Sequence, residues 1–291
     1  MHVSVIIPTF NRKANIVNSL KSLALQEYEQ SDFEVIIVDD GSSDGTIEAI
    51  DNVSPRPLNL TVLSQCNRGP AVARNAGARV ARGNYILFMD DDCVPDKFWI
   101  REIVKPYSDP LVGGVGGRIK YSPPNDHWAN RAASVADSGP GQPVNQEGNL
   151  EYFVTANASV RKSVFDGLGG FDEEFRYAAQ EDIELAMRIV NQGFRLAYCN
   201  EAIVDHYHDF SFFGIIKRGF QIGKSERLLG LKHGGNRQGI YALLLAFFGF
   251  FLIFPAVLRN LAVGIKFPVA IAAPVLHRSS ALAVALGRLA R

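Results

Sequence analysis

Apolar positions in the first hundred residues follow two alternating rhythms. Short runs rich in β-branched and aromatic residues, 3–7, 33–38, 60–63 and 85–89, predict buried strands. Between them, Ile16, Leu20 and Leu23 recur at helical spacing and predict a helix over 14–25. Ser42, Ser43 and Asp44 are N-cap residues for a second helix ending at Ile50. Gly69-Pro70 opens a third that runs to Ala81, with Pro at a tolerated first-turn position. Strand and helix in alternation predict a mostly parallel α/β sheet with right-handed crossovers. From 113 to 149 Gly, Pro and Ser are frequent, and a strand followed by a long lid-like or binding loop is expected. Residues 154–160 then read as a strand, and 181–191 as a helix with apolar Ile183, Ala186, Ile189 and Val190.

The C-terminal part differs in kind. Residues 239–258 carry no charge over 20 positions, enough for a helix to span a bilayer core of about 30 Å; a buried helix of a larger core is the other reading. Lys217, Arg218, Lys224, Arg227, Lys232 and Arg237 precede it, which favours a cytoplasmic body. A second stretch, 261–276, contains Lys266, Pro268 and Pro274 and reads as a hairpin return or an interfacial helix. The expected organisation is a catalytic domain over 1–210, a basic juxtamembrane segment over 211–238, and a membrane-associated tail over 239–291.

The net charge of zero conceals a split that supports this division. Residues 1–209 carry 19 Lys/Arg against 29 Asp/Glu, whereas 210–291 carry 11 against one, Glu226. An acidic body with a basic, apolar tail suits a membrane surface, and the body lacks the basic aromatic stripes that nucleic-acid binding needs. Three widely spaced cysteines, Cys66, Cys93 and Cys199, suggest neither a disulfide framework nor a zinc site. Cys93 reads as a small buried hydrophobe. The N-terminus enters a strand at once, and no signal peptide is expected.

The chemistry gathers at the ends of the predicted strands. Val35–Val38 runs into Asp39-Asp40, and Tyr85–Met89 into Asp90-Asp91-Asp92. Ligands of open α/β sheets bind beyond the carboxyl ends of the strands. Carboxylates crowded there need a cation or a donor-rich ligand, which suits a metal-bound nucleoside diphosphate. Asp39 can accept hydrogen bonds from a base or a ribose. Oxygen ligands two residues apart, at Asp90 and Asp92, suit Mg²⁺ or Mn²⁺. Such an ion would act as a Lewis acid on the leaving diphosphate. Pro8, Thr9 and Asn11 close the first strand at the same edge, and Arg74 in the third helix can reach a diphosphate. Glu181 and Asp182 open a helix, where they complement its dipole or serve as a base whose pKa that dipole depresses. His206 and His208 alternate along an extended segment; an imidazole there would suit Mn²⁺ better than Mg²⁺, and which of the two, if either, reaches the site is open.

Taken in order, Pro8-Thr9-Phe10-Asn11, Val38-Asp39-Asp40-Gly41-Ser42, Ala73-Arg74-Asn75-x-Gly77, Phe88-Met89-Asp90-Asp91-Asp92, Gly169-Gly170-Phe171-Asp172 and Glu181-Asp182 resemble a family 2 glycosyltransferase with the GT-A fold, over roughly residues 1–210. The resemblance implies inverting transfer from a nucleotide-diphosphate sugar with a divalent cation. It implies nucleotide-sugar contacts for Pro8, Thr9, Asn11, Asp39, Asp40, Arg74, Asp90 and Asp91. Asp92 would be a metal ligand with one of His206 and His208, and Asp182 the catalytic base. Asn157, Gly170, Phe171, Asp172 and Glu181 would border the acceptor, Asn157 being equally a turn former.

The expected protein is thus a membrane-attached, cytosol-facing enzyme acting on a lipid-linked saccharide or polysaccharide. A polyprenyl-phosphate sugar synthase and a non-catalytic nucleotide-sugar-binding protein are the rivals. The presence of Asp90, Asp92 and Asp182 argues against the second.

Overall fold

In the computed structural model, residues 3–122, 142–145, 148–207 and 212–234 are described. Two compact units are distinguished: 1–120 with 140–206, and 121–139 with 207–291. The first holds β1 (Val3–Thr9), α1 (Lys13–Ala24), β2 (Phe33–Asp39), α2 (Thr46–Asp51), β3 (Leu60–Ser64), α3 (Pro70–Val80), β4 (Tyr85–Phe88), β5 (Cys93–Pro95), α4 (Trp99–Val104), β6 (Val112–Tyr121, whose last residue falls in the second unit), β7 (Ala158–Arg161), α5 (Lys162–Gly167), α6 (Glu181–Asn191) and β8 (Arg195–His206). The second contains α7 (Phe212–His233). No helix among the described residues is long and apolar enough to cross a membrane. The segments 239–258 and 261–276, and with them the expected membrane tail, lie outside the described residues.

One sheet organises the first unit, in the order β3-β2-β1-β4-β7-β6-β8-β5. The half from β3 to β4 is parallel, as the alternation predicts. The other half is not. β7 runs antiparallel to β4 and to β6, and β5 antiparallel to β8, so the sheet is mixed rather than mostly parallel. The physical reason lies after β4, where the chain stops inserting a helical crossover before every strand. Antiparallel neighbours need no such crossover.

The inner strands of the parallel half are buried on both faces: every residue of β2 and of β4 is buried, which explains their apolar runs, whereas the edge strand β3 is partly exposed. α3 lies unusually close to β1 and β2 because its inner face is Ala71, Ala73, Gly77 and Ala78. A Cβ on Gly77 would meet Ile6 at 2.6 Å and Val38 at 3.2 Å. Phe88, Phe165 and Phe171 form a mutually edge-on or tilted cluster with centroids 5.0–5.6 Å apart. Burial of each such ring is worth roughly 1.5–3 kcal/mol.

Three local expectations change. α2 starts at Thr46, because Asp44 folds back to accept from Thr46 N (3.1 Å) while Ser42 and Ser43 bond Asn11, leaving Gly45 as the N-cap. The strand expected over 154–160 begins at Ala158, after a 3-10 turn at Thr155–Asn157. The three-residue β5 and the helices α4 and α5 were not predicted; they are too short to show a period.

Candidate active site

β1 sits between β2 and β4, so crossovers leave it in opposite directions and open a crevice at the carboxyl ends of these strands. Thr9, in register with Asp39, donates its Oγ1 hydrogen bond to Asp91 Oδ2 (2.7 Å). The two acidic clusters therefore meet across the end of β1. Ser19 of α1 donates to the carbonyls of Asp91 (2.8 Å) and Cys93 (2.6 Å), fixing the acidic turn from below.

Each carboxylate has a distinct environment. Asp39 accepts from Ser42 N (3.2 Å to each oxygen). Asp40 is engaged by Gln65 Nε2 (2.7 Å), Arg68 N (2.9 Å) and Gly69 N (2.8 Å), so it clasps the loop that leads into α3. Asp90, 29% exposed at its side chain, pairs with Arg74 (2.8 Å). Burial, and then the charge of Asp92, push Asp91 up to about 7. Asp92 has Arg12 Nη1 3.6 Å from one oxygen and His206 Nε2 3.0 Å from the other. The chain thus supplies Arg12 and Arg74 against the crowding of acids.

The antiparallel pairing of β5 with β8 sets Cys93 opposite His206, which carries the imidazole to Asp92. Asp92, Cys93 and His206 offer ligand atoms within 4.8 Å of one another. Burial holds the Cys93 thiol protonated, with its pKa raised well above the ordinary value, so a carboxylate oxygen and an imidazole nitrogen are the effective donors. That pair fits a divalent cation that accepts mixed O/N ligands. Of the two histidines, His206 lies beside Asp92; His208 lies outside the described residues.

At the other side of the cleft, α6 begins with Glu181 and Asp182. Its N-cap, Gln180, is left-handed at φ 71° and makes no side-chain cap. Glu181 is buried against Arg74 Nη1 (2.8 Å). Burial and the neighbouring Asp182 push Glu181 up to about 7, opposed by Arg74. Asp182 accepts from Ile183 N (2.9 Å). Its pKa is raised by burial, against the depression expected from the helix dipole: desolvation outweighs the backbone bonds and Arg74.

Seven residues expected to touch ligand make contacts within the protein. Arg74 is almost fully buried between Asp90 and Glu181 and stacks 5.8 Å from the Phe171 ring. Asn157, wholly buried, accepts from Trp99 Nε1 (2.8 Å) and donates to the carbonyls of Arg118 (2.9 Å) and Ala202 (2.8 Å). Phe171 belongs to the core, and Asn75 grips its backbone through two 2.9 Å hydrogen bonds. Gly170, at φ +78°, lies where a Cβ would meet Asn75 Oδ1 at 2.6 Å. Asp172 caps the following turn by accepting from Glu174 N (3.0 Å). Asn11, left-handed at φ 52°, ties β1 to the 42–43 loop, and Pro8 pairs in register with Val38. Arg12 and Gln65 were missed as site residues. The only signal in the sequence was Arg12's place directly after Asn11 at the end of the first strand.

Comparison with known proteins accords with this geometry. The family model "Glycosyl transferase family 2" matches residues 4–169. The glycosyltransferase AglE of Haloferax volcanii is 30% identical over 246 residues, 84% of this chain and 79% of that protein. A dolichyl N-acetyl-α-D-glucosaminyl phosphate 3-β-D-2,3-diacetamido-2,3-dideoxy-β-D-glucuronosyltransferase of Methanococcus voltae is 25% identical over 279 residues, 90% of this chain and 83% of that protein. Some other curated relatives are longer, and the chain spans about half their length, 48% and 50% in two cases. Among solved structures, the mannosyltransferase PcManGT of Pyrobaculum calidifontis, in complex with GDP-Man and Mn²⁺, superposes with a TM-score of 0.68 at 21% identity, covering 99% of this chain and 87% of that one. The fold is that of GT-A glycosyltransferases, and the chain belongs to glycosyl transferase family 2 and is a transferase enzyme.

Proposed function

We propose that this enzyme transfers a sugar, with inversion, from a nucleotide-diphosphate sugar to a hydroxyl of a glycan or lipid-linked acceptor at the cytoplasmic face of a membrane. The observation that carries the reading is the meeting of Asp90, Asp92 and His206 at the end of β4, joined through Arg74 to the turn that bears Asp182. Thr9, Asn11 and Asp39 lie at the nucleoside end of this cleft. Asp92 and His206 would hold a divalent cation, Mn²⁺ suiting the imidazole better than Mg²⁺, and when bound it would supply Lewis acidity to the diphosphate leaving group.

Asp182 takes the proton of the acceptor hydroxyl. As the acceptor oxygen forms its bond to the anomeric carbon, the bond from that carbon to the diphosphate oxygen breaks. One displacement with one base inverts the anomeric centre. Burial makes Asp182 a better base than a solvated aspartate, because its ionised form is less stabilised. The charge-free stretch 239–258 and its basic flank support attachment to a membrane. A lipid-linked acceptor is also consistent with the dolichyl-linked substrate in the name of the Methanococcus relative.

The test is a panel of GDP- and UDP-sugars with Mn²⁺ or Mg²⁺ and glycan or lipid-linked acceptors, following nucleoside diphosphate release and product anomer. An inverted product is expected, and Asp182→Asn should abolish transfer while nucleotide binding persists. Release from no donor, a retained anomer, or full activity of Asp182→Asn would overturn the reading. Protease protection of the C-terminus in vesicles tests the membrane part.

A further inference from the structure

Arg74 has the wrong surroundings for a ligand contact. Its side chain is 2% exposed, and its two terminal nitrogens are spent at 2.8 Å on two carboxylates from distant elements: Asp90 after β4 and Glu181 at the head of α6. Asp90 is open to the cleft, whereas Glu181 is as buried as Arg74 itself.

Apart from the backbone hydrogen bonds that Thr155 and Ile183 give to the Asp182 carboxylate, the head of α6 is poorly capped. Gln180 holds a left-handed backbone, which is strained for a non-glycine residue, and no side chain caps the helix. Three acids occupy its first turn. Glu184 is engaged with Arg188, which in turn bonds the carbonyls of Leu168 and Gly170. Glu181 is therefore the first-turn acid tied toward the donor side. Arg74 Nε and Glu181 Oε2 have no hydrogen-bond partner among the described residues, so the cluster depends on this one pair of contacts. Close packing of α3 on the sheet brings Arg74 within reach of both partners, since its inner face is Ala and Gly.

We propose that Arg74 is a positioning residue that touches neither donor nor acceptor. It locks Asp90 and Glu181 into one unit, so that donor bound at Asp90 steadies the turn that presents Asp182. The inference rests on the donor-site reading above. Lysine cannot replace arginine here, because a single ammonium lacks the fork that spans two carboxylates. Glu181→Gln keeps an acceptor oxygen for Arg74 and removes only the charge.

Wild type, Arg74→Lys, Glu181→Gln and the double variant are compared by steady-state kinetics, and by hydrogen exchange of peptides covering 178–188 with and without GDP or UDP plus Mn²⁺. In wild type, the nucleotide that binds should slow exchange in this segment at least threefold. In both single variants the nucleotide Kd should stay within about threefold, consistent with the reciprocity of coupling, while the slowing disappears. Their kcat should fall tenfold or more with the donor KM within twofold, and the double variant should be no worse than the poorer single. Slowing that persists in the variants, additive losses, or a tenfold rise in donor KM at unchanged kcat would overturn the inference and make Arg74 a scaffold residue or a direct contact. If Arg74→Lys does not fold, Glu181→Gln decides alone. Binding of neither nucleotide to wild type removes the donor-site reading and this inference with it, a pattern distinct from binding without slowing.

Discussion

Asn157→Ala should cost stability and leave acceptor affinity alone. The side chain joins four elements: the 3-10 turn that carries it, α4 through Trp99, β6 through the Arg118 carbonyl and β8 through the Ala202 carbonyl. All three hydrogen bonds are 2.8–2.9 Å long, and the residue is wholly buried. Truncation leaves one indole N–H and two carbonyls unmatched, at about 1 kcal/mol each or about 3 kcal/mol in all. For a domain of this size each kcal/mol lowers Tm by about 2–4 °C, so a fall of about 6–12 °C is expected. Differential scanning calorimetry reads the Tm, and initial rates over an acceptor series read KM. Asn157→Asp keeps the acceptor for Trp99 but turns a carboxylate oxygen toward two carbonyls, and should be at least as damaging. A Tm within 2 °C of wild type combined with a tenfold rise in acceptor KM would refute this account and restore Asn157 to the acceptor site.

Three further outcomes are expected. Gly170→Ala, forced to hold φ +78° and driven against Asn75, should lower Tm through about 1–2 kcal/mol of backbone strain plus the loss of the Asn75 clasp on Phe171; an unchanged melting curve would count against the clasp. Because burial raises the pKa of Asp182, its ionised, proton-accepting form is lost as pH falls through a value above that of an ordinary aspartate. The acid limb of a kcat–pH profile should accordingly lie above pH 4, and a limb at the ordinary aspartate value would contradict the burial argument. Asp92→Ala and His206→Ala should each weaken Mn²⁺ activation by an order of magnitude or more in titrations of metal-stripped enzyme, and an unchanged activation curve for His206→Ala would remove it from the metal site.

The sequence displayed the parallel half of the fold because β1, β2 and β4 are buried on both faces and are apolar along most of their length. In the other half it showed strands near 113 and 154–160 but not their antiparallel pairing, because β5 has only three residues and periodicity within a strand does not say which neighbour it pairs with or in which direction. The acidic clusters were legible for a related reason: charge that ends an apolar run has few structural explanations. What single positions could not show was which polar groups are already satisfied. Asp39 and Asp40 are adjacent in sequence, yet Asp40 is consumed by the loop into α3. Arg74 and Asn157 look like ligand contacts by residue type, and the partners that hold each of them inside the protein could not be read from the sequence. The pKa of Asp182 was misjudged in sign, since the helix dipole can be read from position whereas burial cannot.

The pairing of Cys93 with His206 has a consequence for how this chain can vary. In β8 the buried face is Ala202, Val204 and His206, and β5 meets it in fixed register. Insertion or deletion of one residue between the middle of β8 and His206 would turn that face over, presenting Asp205 or Tyr207 where the imidazole stands. Asp92 would then face a carboxylate or a phenol. Length changes within this strand should therefore be absent from functional homologues, and libraries built on this scaffold should hold the spacing from Arg195 to His206 constant while varying residues on the opposite face.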